Sequence, residues 1–171
     1  SIATPWSGFS VSTGRLLERA QPTAVAQRSV RALVVEDLLV VLSVHAAKHV
    51  WARLTWVCDI AQLLRRYPGM NWHAVLSESR RAGATHALLL SLRLAEIFLG
   101  AQVPEEVRAR IARDRAIPEL AERISRELWH DPQAQYRPGI RYPLTFRALE
   151  GWRRRATQKS MRTTRPQAAP W

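Results

Sequence analysis

One cysteine in 171 residues, Cys58, excludes an internal disulfide and any thiolate metal site. It falls on the apolar side of a predicted helix, where inert packing is the expectation. Long uninterrupted apolar runs are missing as well. The longest, His86 to Ala101, carries Arg93 and Glu96 and is too short to cross a bilayer. The first ten residues have neither a charged start nor an apolar core, so no secretory signal is expected. These absences lead to the expectation of a cytoplasmic protein without a membrane partner. Acids are scarce where bases are dense: residues 137–171 hold nine Lys or Arg against Glu150 alone. The first 136 residues hold 17 bases and 13 acids, so most of the net charge of +12 belongs to the tail.

What is present suits one compact domain, because 47% hydrophobic residues in a chain of this length can bury a real core. After an irregular start with Pro5, Gly8 and Gly14, a short helical turn is expected at Arg15–Ala20. Residues 22–35 alternate and are β-branched, predicting a hairpin with strands near Thr23–Ala26 and Ser29–Leu33. Six helices then follow from apolar periodicity and end signals. The predicted spans are Glu36–Val50, Arg53–Tyr67, Trp72–Ala82 behind an Asn71 cap, Thr85–Leu99 stopped by Gly100, Pro104–Arg113, and Pro118–Trp129. The fold class is mainly α: about six helices in a compact array, with a short β-hairpin before them and a basic, poorly ordered tail behind. The divisions are 1–35, 36–131 and 132–171, and a further short helix is possible at Leu144–Arg155.

The stretch from Glu36 to Arg66 carries the polar residues hardest to assign to a surface. On a helical wheel Leu42, His45 and His49 lie within about 40° of Leu38, and Val40, Val41, Val44, Ala46 and Ala47 cover most of the remainder. A helix apolar all round is expected to be buried, yet this one brings His45, Lys48 and His49 into its final turns. Histidines four apart can share a metal. However, Ala46 stands where a metalloprotease helix has glutamate, no third ligand stands out, and Lys48 repels a cation. No metal site is therefore expected. Three readings remain: packed, hydrogen-bonded core histidines, a cationic wall that meets a phosphate, or a buried ion pair with Asp59 in the next helix. Trp51 and Trp56 flank the cluster as supporting aromatics.

The order of motifs here resembles the uncharacterised nucleotidyltransferase family of bacterial proteins. A paired-histidine helix H-x-x-K-H-x-W (His45, Lys48, His49, Trp51) precedes L-x-W-x-x-D-I (Leu54, Trp56, Asp59, Ile60). Asn71, Trp72, Val75 and Leu76 follow, then Leu99, Gly100 and Pro104, and the resemblance spans roughly residues 15–130. It implies polymerase-β-like chemistry, in which strand-borne carboxylates hold two metal ions and an incoming nucleoside triphosphate. Mg and an NTP are thereby implied for a full-length member, and no cofactor for this chain alone. The departure is that residues 1–35 contain one acid, Glu18, and no alternating acid pair. Glu36 and Asp37 are adjacent and diverge on a helix. The chain therefore reads as the carboxyl-terminal helical part of such a protein, with no catalytic residue of its own and inactive alone. His45, Lys48 and His49 would face substrate phosphate, braced by Asp59, Trp56 and Trp51.

An alternative places function in the tail. Arg153, Arg154 and Arg155, with Lys159, Arg162 and Arg165, suit nucleic-acid phosphates. A non-enzymatic nucleic-acid-binding module is then the expectation, set against a merely solvated tail.

Overall fold

The computed structural model of the protein describes residues 9–130. Its architecture is mainly α, with seven described helices and one antiparallel hairpin. The basic tail, its arginines at 153–155 and the helix expected at 144–155 lie outside the described residues. The expected helical turn near the start is a full helix, α1 (Thr13–Arg19), opened by Ser12, whose Oγ accepts from the Arg15 N–H.

The hairpin pairs β1 (Gln21–Val25) with β2 (Arg28–Ala32), two residues earlier than the expected first strand, in the register Gln21↔Ala32 to Val25↔Arg28. Its loop is Ala26-Gln27, and both residues have positive φ, 48° and 63°. Two-residue hairpin loops need that conformation to match strand twist, and Asn-Gly is the usual solution. Ala-Gln carries neither residue, so the sequence does not mark the position of this turn. Arg31 ties the hairpin to the end of α1, its Nη2 donating to the Leu17 and Ala20 carbonyls at 2.9 and 2.8 Å.

The remaining helices are α2 (Val35–Lys48), α3 (Leu54–Arg66), α4 (Trp72–Arg81), α5 (Thr85–Leu99), α6 (Glu105–Arg113) and α7 (Ala116–His130). α5 is the hub, packed against α2, α3, α4, α6 and α7. Ala87 through Leu92, Leu94 and Ala95 are all buried along it. Each wholly buried leucine there contributes about 1.5–3 kcal/mol of hydrophobic stabilisation. Gly100 closes α5 at φ 59°, a left-handed conformation that glycine adopts without strain. Arg65 adds a side-chain cap from α3, donating to the Leu99 carbonyl at 2.7 Å.

Polar links set the remaining registers. Asn71 caps α4 as expected, its Oδ1 accepting from Ala74 N–H, while its own N–H donates to Glu36 on α2. Asp114 pairs with His86 of α5 at 2.8 Å and accepts the Ala116 N–H that opens α7. α1 docks through charge. Arg19 Nε meets Asp37 Oδ2 of α2 at 2.9 Å, and Arg15 lies 3.5 Å from Glu78 of α4. No described helix is long and apolar enough to cross a membrane.

Candidate functional site

The end of α2 and the start of α3 build the site. α2 buries Asp37, Leu39, Val40, Ser43, Val44, Ala46 and Ala47. Its other face runs through half-buried Leu38 and Leu42 to His45 and His49, both exposed, with Lys48 half-buried between them. The expected interior turn is therefore a rim. The wheel overstated burial because it counted apolar residues without knowing on which side neighbouring helices lie. With α3, α4 and α5 against one side, the Leu38–Leu42–His45–His49 stripe is left at the margin. Basic groups there also complement the partial negative charge at the carboxyl end of a helix.

Three rings meet at this rim. The His45 and His49 imidazoles have centroids 4.7 Å apart, as helical neighbours four residues apart should. Trp56, in the first turn of α3, lies 4.8 Å from His49 at a 33° tilt and 5.5 Å from His45 edge-on. Trp56 is half-buried against the core, so it fixes both imidazoles relative to α3. Asp59, one turn further along α3, is exposed. α3 begins without a side-chain cap at Arg53 and with no acid in its first turn. The first turn of α3 therefore carries no side chain of its own that would repel an anion.

The connection between the two helices is strained. Trp51 N–H reaches the Ala46 carbonyl at 2.8 Å and Val50 N–H the Ala47 carbonyl at 3.0 Å, the paired bonds of a left-handed helix cap. Glycine is the usual occupant, but here Val50 and Trp51 have φ of 55° and 47° in succession. A left-handed L-residue costs on the order of 1–2 kcal/mol, and a β-branched one is a marked outlier. What holds the turn is Trp51 itself, 3% exposed, whose Nε1 donates to Ser91 Oγ of α5 at 2.8 Å. Sequence reasoning placed Trp51 here but missed Ser91, which reads as one small residue in a leucine-rich helix.

A second polar centre also went unread. Asp37 is wholly buried, paired with Arg19 through Oδ2, while its Oδ1 has no hydrogen-bond partner. Burial raises its pKa above the ordinary aspartate value, partly offset by the Arg19 guanidinium. Its role visible here is docking α1. Cys58 is half-buried, as an inert packing residue can be.

No group of three or more His, Cys, Asp or Glu side chains among the described residues is arranged to hold a metal ion. The described residues therefore do not fit a two-metal carboxylate centre. What this rim can do is present two imidazoles, an ammonium and a helix start to an anion, beside an aromatic face.

The described residues define a mainly helical array that carries an exposed histidine pair at the end of α2. The family model described as uncharacterised nucleotidyltransferase matches residues 2–100, and the chain belongs to that family. No curated protein and no solved structure matches it.

Proposed function

We propose that this chain is the helical, nucleotide-facing part of a nucleotidyltransferase, and that His45, Lys48 and His49 meet the phosphates of a nucleoside triphosphate. The observation that carries the reading is the contact of Trp56 with both imidazoles, which sets a cationic helix end against an uncapped helix start. Phosphate gains charge-assisted hydrogen bonds from the side chains and N–H donors from α3 in one place. Trp56, Trp51 and Asp59 brace these groups. Family membership supplies the reaction class, transfer of a nucleotidyl group. In this reading Mg and the NTP belong to the complete enzyme, and the acids that hold the metal come from outside the described residues. The isolated chain binds nucleotide and does not transfer it.

The test is ATP titration of the chain and of Lys48→Ala, alongside incorporation of labelled nucleotide. Binding that weakens about tenfold in the variant, without incorporation by either protein, is expected. Metal-dependent incorporation by the chain alone, abolished by Lys48→Ala and kept when residues 137–171 are removed, would overturn the claim that it is inactive alone.

The charge of the tail favours a second reading, with nine bases against one acid in residues 137–171. There Arg153, Arg154 and Arg155 bind nucleic acid without catalysis. Affinity that falls steeply with salt and vanishes with the tail supports it, whereas mononucleotide binding that depends on His45 or Lys48 supports the first.

A further inference from the structure

Ser91 touches no part of the rim, yet it is placed to govern the rim's geometry. It lies in the middle of α5, wholly buried between Leu90 and Leu92, and its Oγ accepts the Trp51 indole N–H at 2.8 Å. Trp51 is the second of two successive left-handed residues, after a β-branched one. Left to itself, such a turn relaxes toward right-handed backbone. α2 would then either lengthen or lose its last turn. Each residue gained or lost rotates the helix end by about 100°. That rotation changes the direction in which the chain leaves α2 for α3, and so the angle at which Trp56 meets His45 and His49. A buried indole pinned to the hub helix prevents it.

We propose that Ser91 is a positioning residue for the imidazole pair, acting through Trp51 and the left-handed Val50–Trp51 turn. Both helices of the rim pack on α5, so the core sets the alignment of the surface groups. The connection is directional. Ser91 holds Trp51, Trp51 holds the turn, and the turn decides where α2 stops. The proposal rests on the phosphate reading only for its ligand measurement, since the ring geometry is observable without ligand.

The experiment uses the 171-residue chain, with the His45 and His49 ring-proton resonances and ATP affinity as readouts. Trp56 shifts those resonances through its ring current. Ser91→Ala is expected to move both resonances toward their unfolded-chain positions and to weaken ATP binding about tenfold. Ser91→Cys, which keeps the volume with a poorer acceptor, gives the same direction if Ser91→Ala does not fold. Adding Val50→Gly to either variant restores the resonances, because glycine holds a left-handed conformation without an anchor. Val75→Ala, a packing loss in α4, lowers the melting temperature and leaves the imidazoles in place. Unmoved resonances in a folded but destabilised Ser91 variant would reduce Ser91 to a structural role, and failure of Val50→Gly to restore them would equally overturn the proposal. If the unmodified chain binds no ATP while the resonances move as described, the phosphate reading falls and the positioning role stands.

Discussion

Removing the guanidinium that meets Asp37 tests how the interior handles charge. Asp37 has no exposed surface, and its Oδ1 lacks a hydrogen-bond partner even in the intact protein. Arg19→Met keeps much of the stem that packs beside it but deletes the charge. The carboxylate then has two options. It can stay ionised in the interior, or it can take up a proton. Protonation at pH 7 of an acid whose ordinary pKa is 3.8 costs about 1.4 kcal/mol for each pH unit above that value. The cost is therefore capped at about 4.4 kcal/mol at pH 7 and about 1.6 kcal/mol at pH 5. The usual penalty for orphaning a buried charge, about 3–5 kcal/mol, lies near the neutral-pH cap. Urea unfolding of both proteins at pH 7, 6 and 5 should show a destabilisation of several kcal/mol that shrinks toward acid.

The sign follows from linkage. The folded pKa of Asp37 is raised by burial, with Arg19 opposing. Between 3.8 and that raised value the folded state holds a proton that the unfolded state lacks. This group's contribution to stability therefore grows as pH falls through the folded pKa and is lost as pH rises through it. Deleting Arg19 removes the opposing charge and steepens that dependence. The double variant Arg19→Met/Asp37→Leu should recover most of the loss, since an apolar pair can replace a buried ion pair. A destabilisation below about 1 kcal/mol that does not change between pH 7 and 5 would refute the reasoning. It would mean that the seven-residue α1 lifts away and lets water reach Asp37.

Other expectations rest on separate contacts. Val50→Gly should raise stability by about 0.5–1 kcal/mol, the relieved left-handed strain less the chain entropy of glycine, read by denaturant midpoint at constant slope. Leu92→Ala, at a wholly buried position in α5, should cost about 2–5 kcal/mol in the same assay. Arg31→Ala deletes the bonds to the Leu17 and Ala20 carbonyls. Amide exchange in Gln21–Ala32 should accelerate while α5 stays protected, because a lone two-stranded hairpin is marginal in water. Trp56→Ala should separate the imidazoles from α3 and weaken ATP binding more than the global destabilisation explains, measured by calorimetry at a temperature where the variant is fully folded.

Legibility in the sequence followed from how local each signal was. The span Thr85–Leu99 was readable to the residue, because its stop is a glycine that adopts the left-handed cap itself. The Asn71 cap was readable for the same reason: a short polar side chain bonds its own helix three residues on. The end of α2 was not. Its left-handed cap is filled by Val50 and Trp51, residues that signal continued helix or strand, and the Trp51 indole is bonded to a hydroxyl forty residues away. Arg19 and Asp37 were opaque likewise, since an acid in the first turn of a helix looks like a dipole partner until a separate helix arrives to cover it. At the rim the proximity of His45 and His49 was legible from their spacing, and Trp56 was named beside them. Their exposure was not legible, because a wheel counts apolar positions but does not say which arc the neighbouring helices occupy. That error bears on mechanism. A buried histidine–lysine turn would have required an internal counter-ion, whereas an exposed histidine pair in contact with Trp56 carries no such requirement. The left-handed turn at Val50 bears on that arrangement as a conformation and not as a strain, because a glycine there would hold the same turn without the cost.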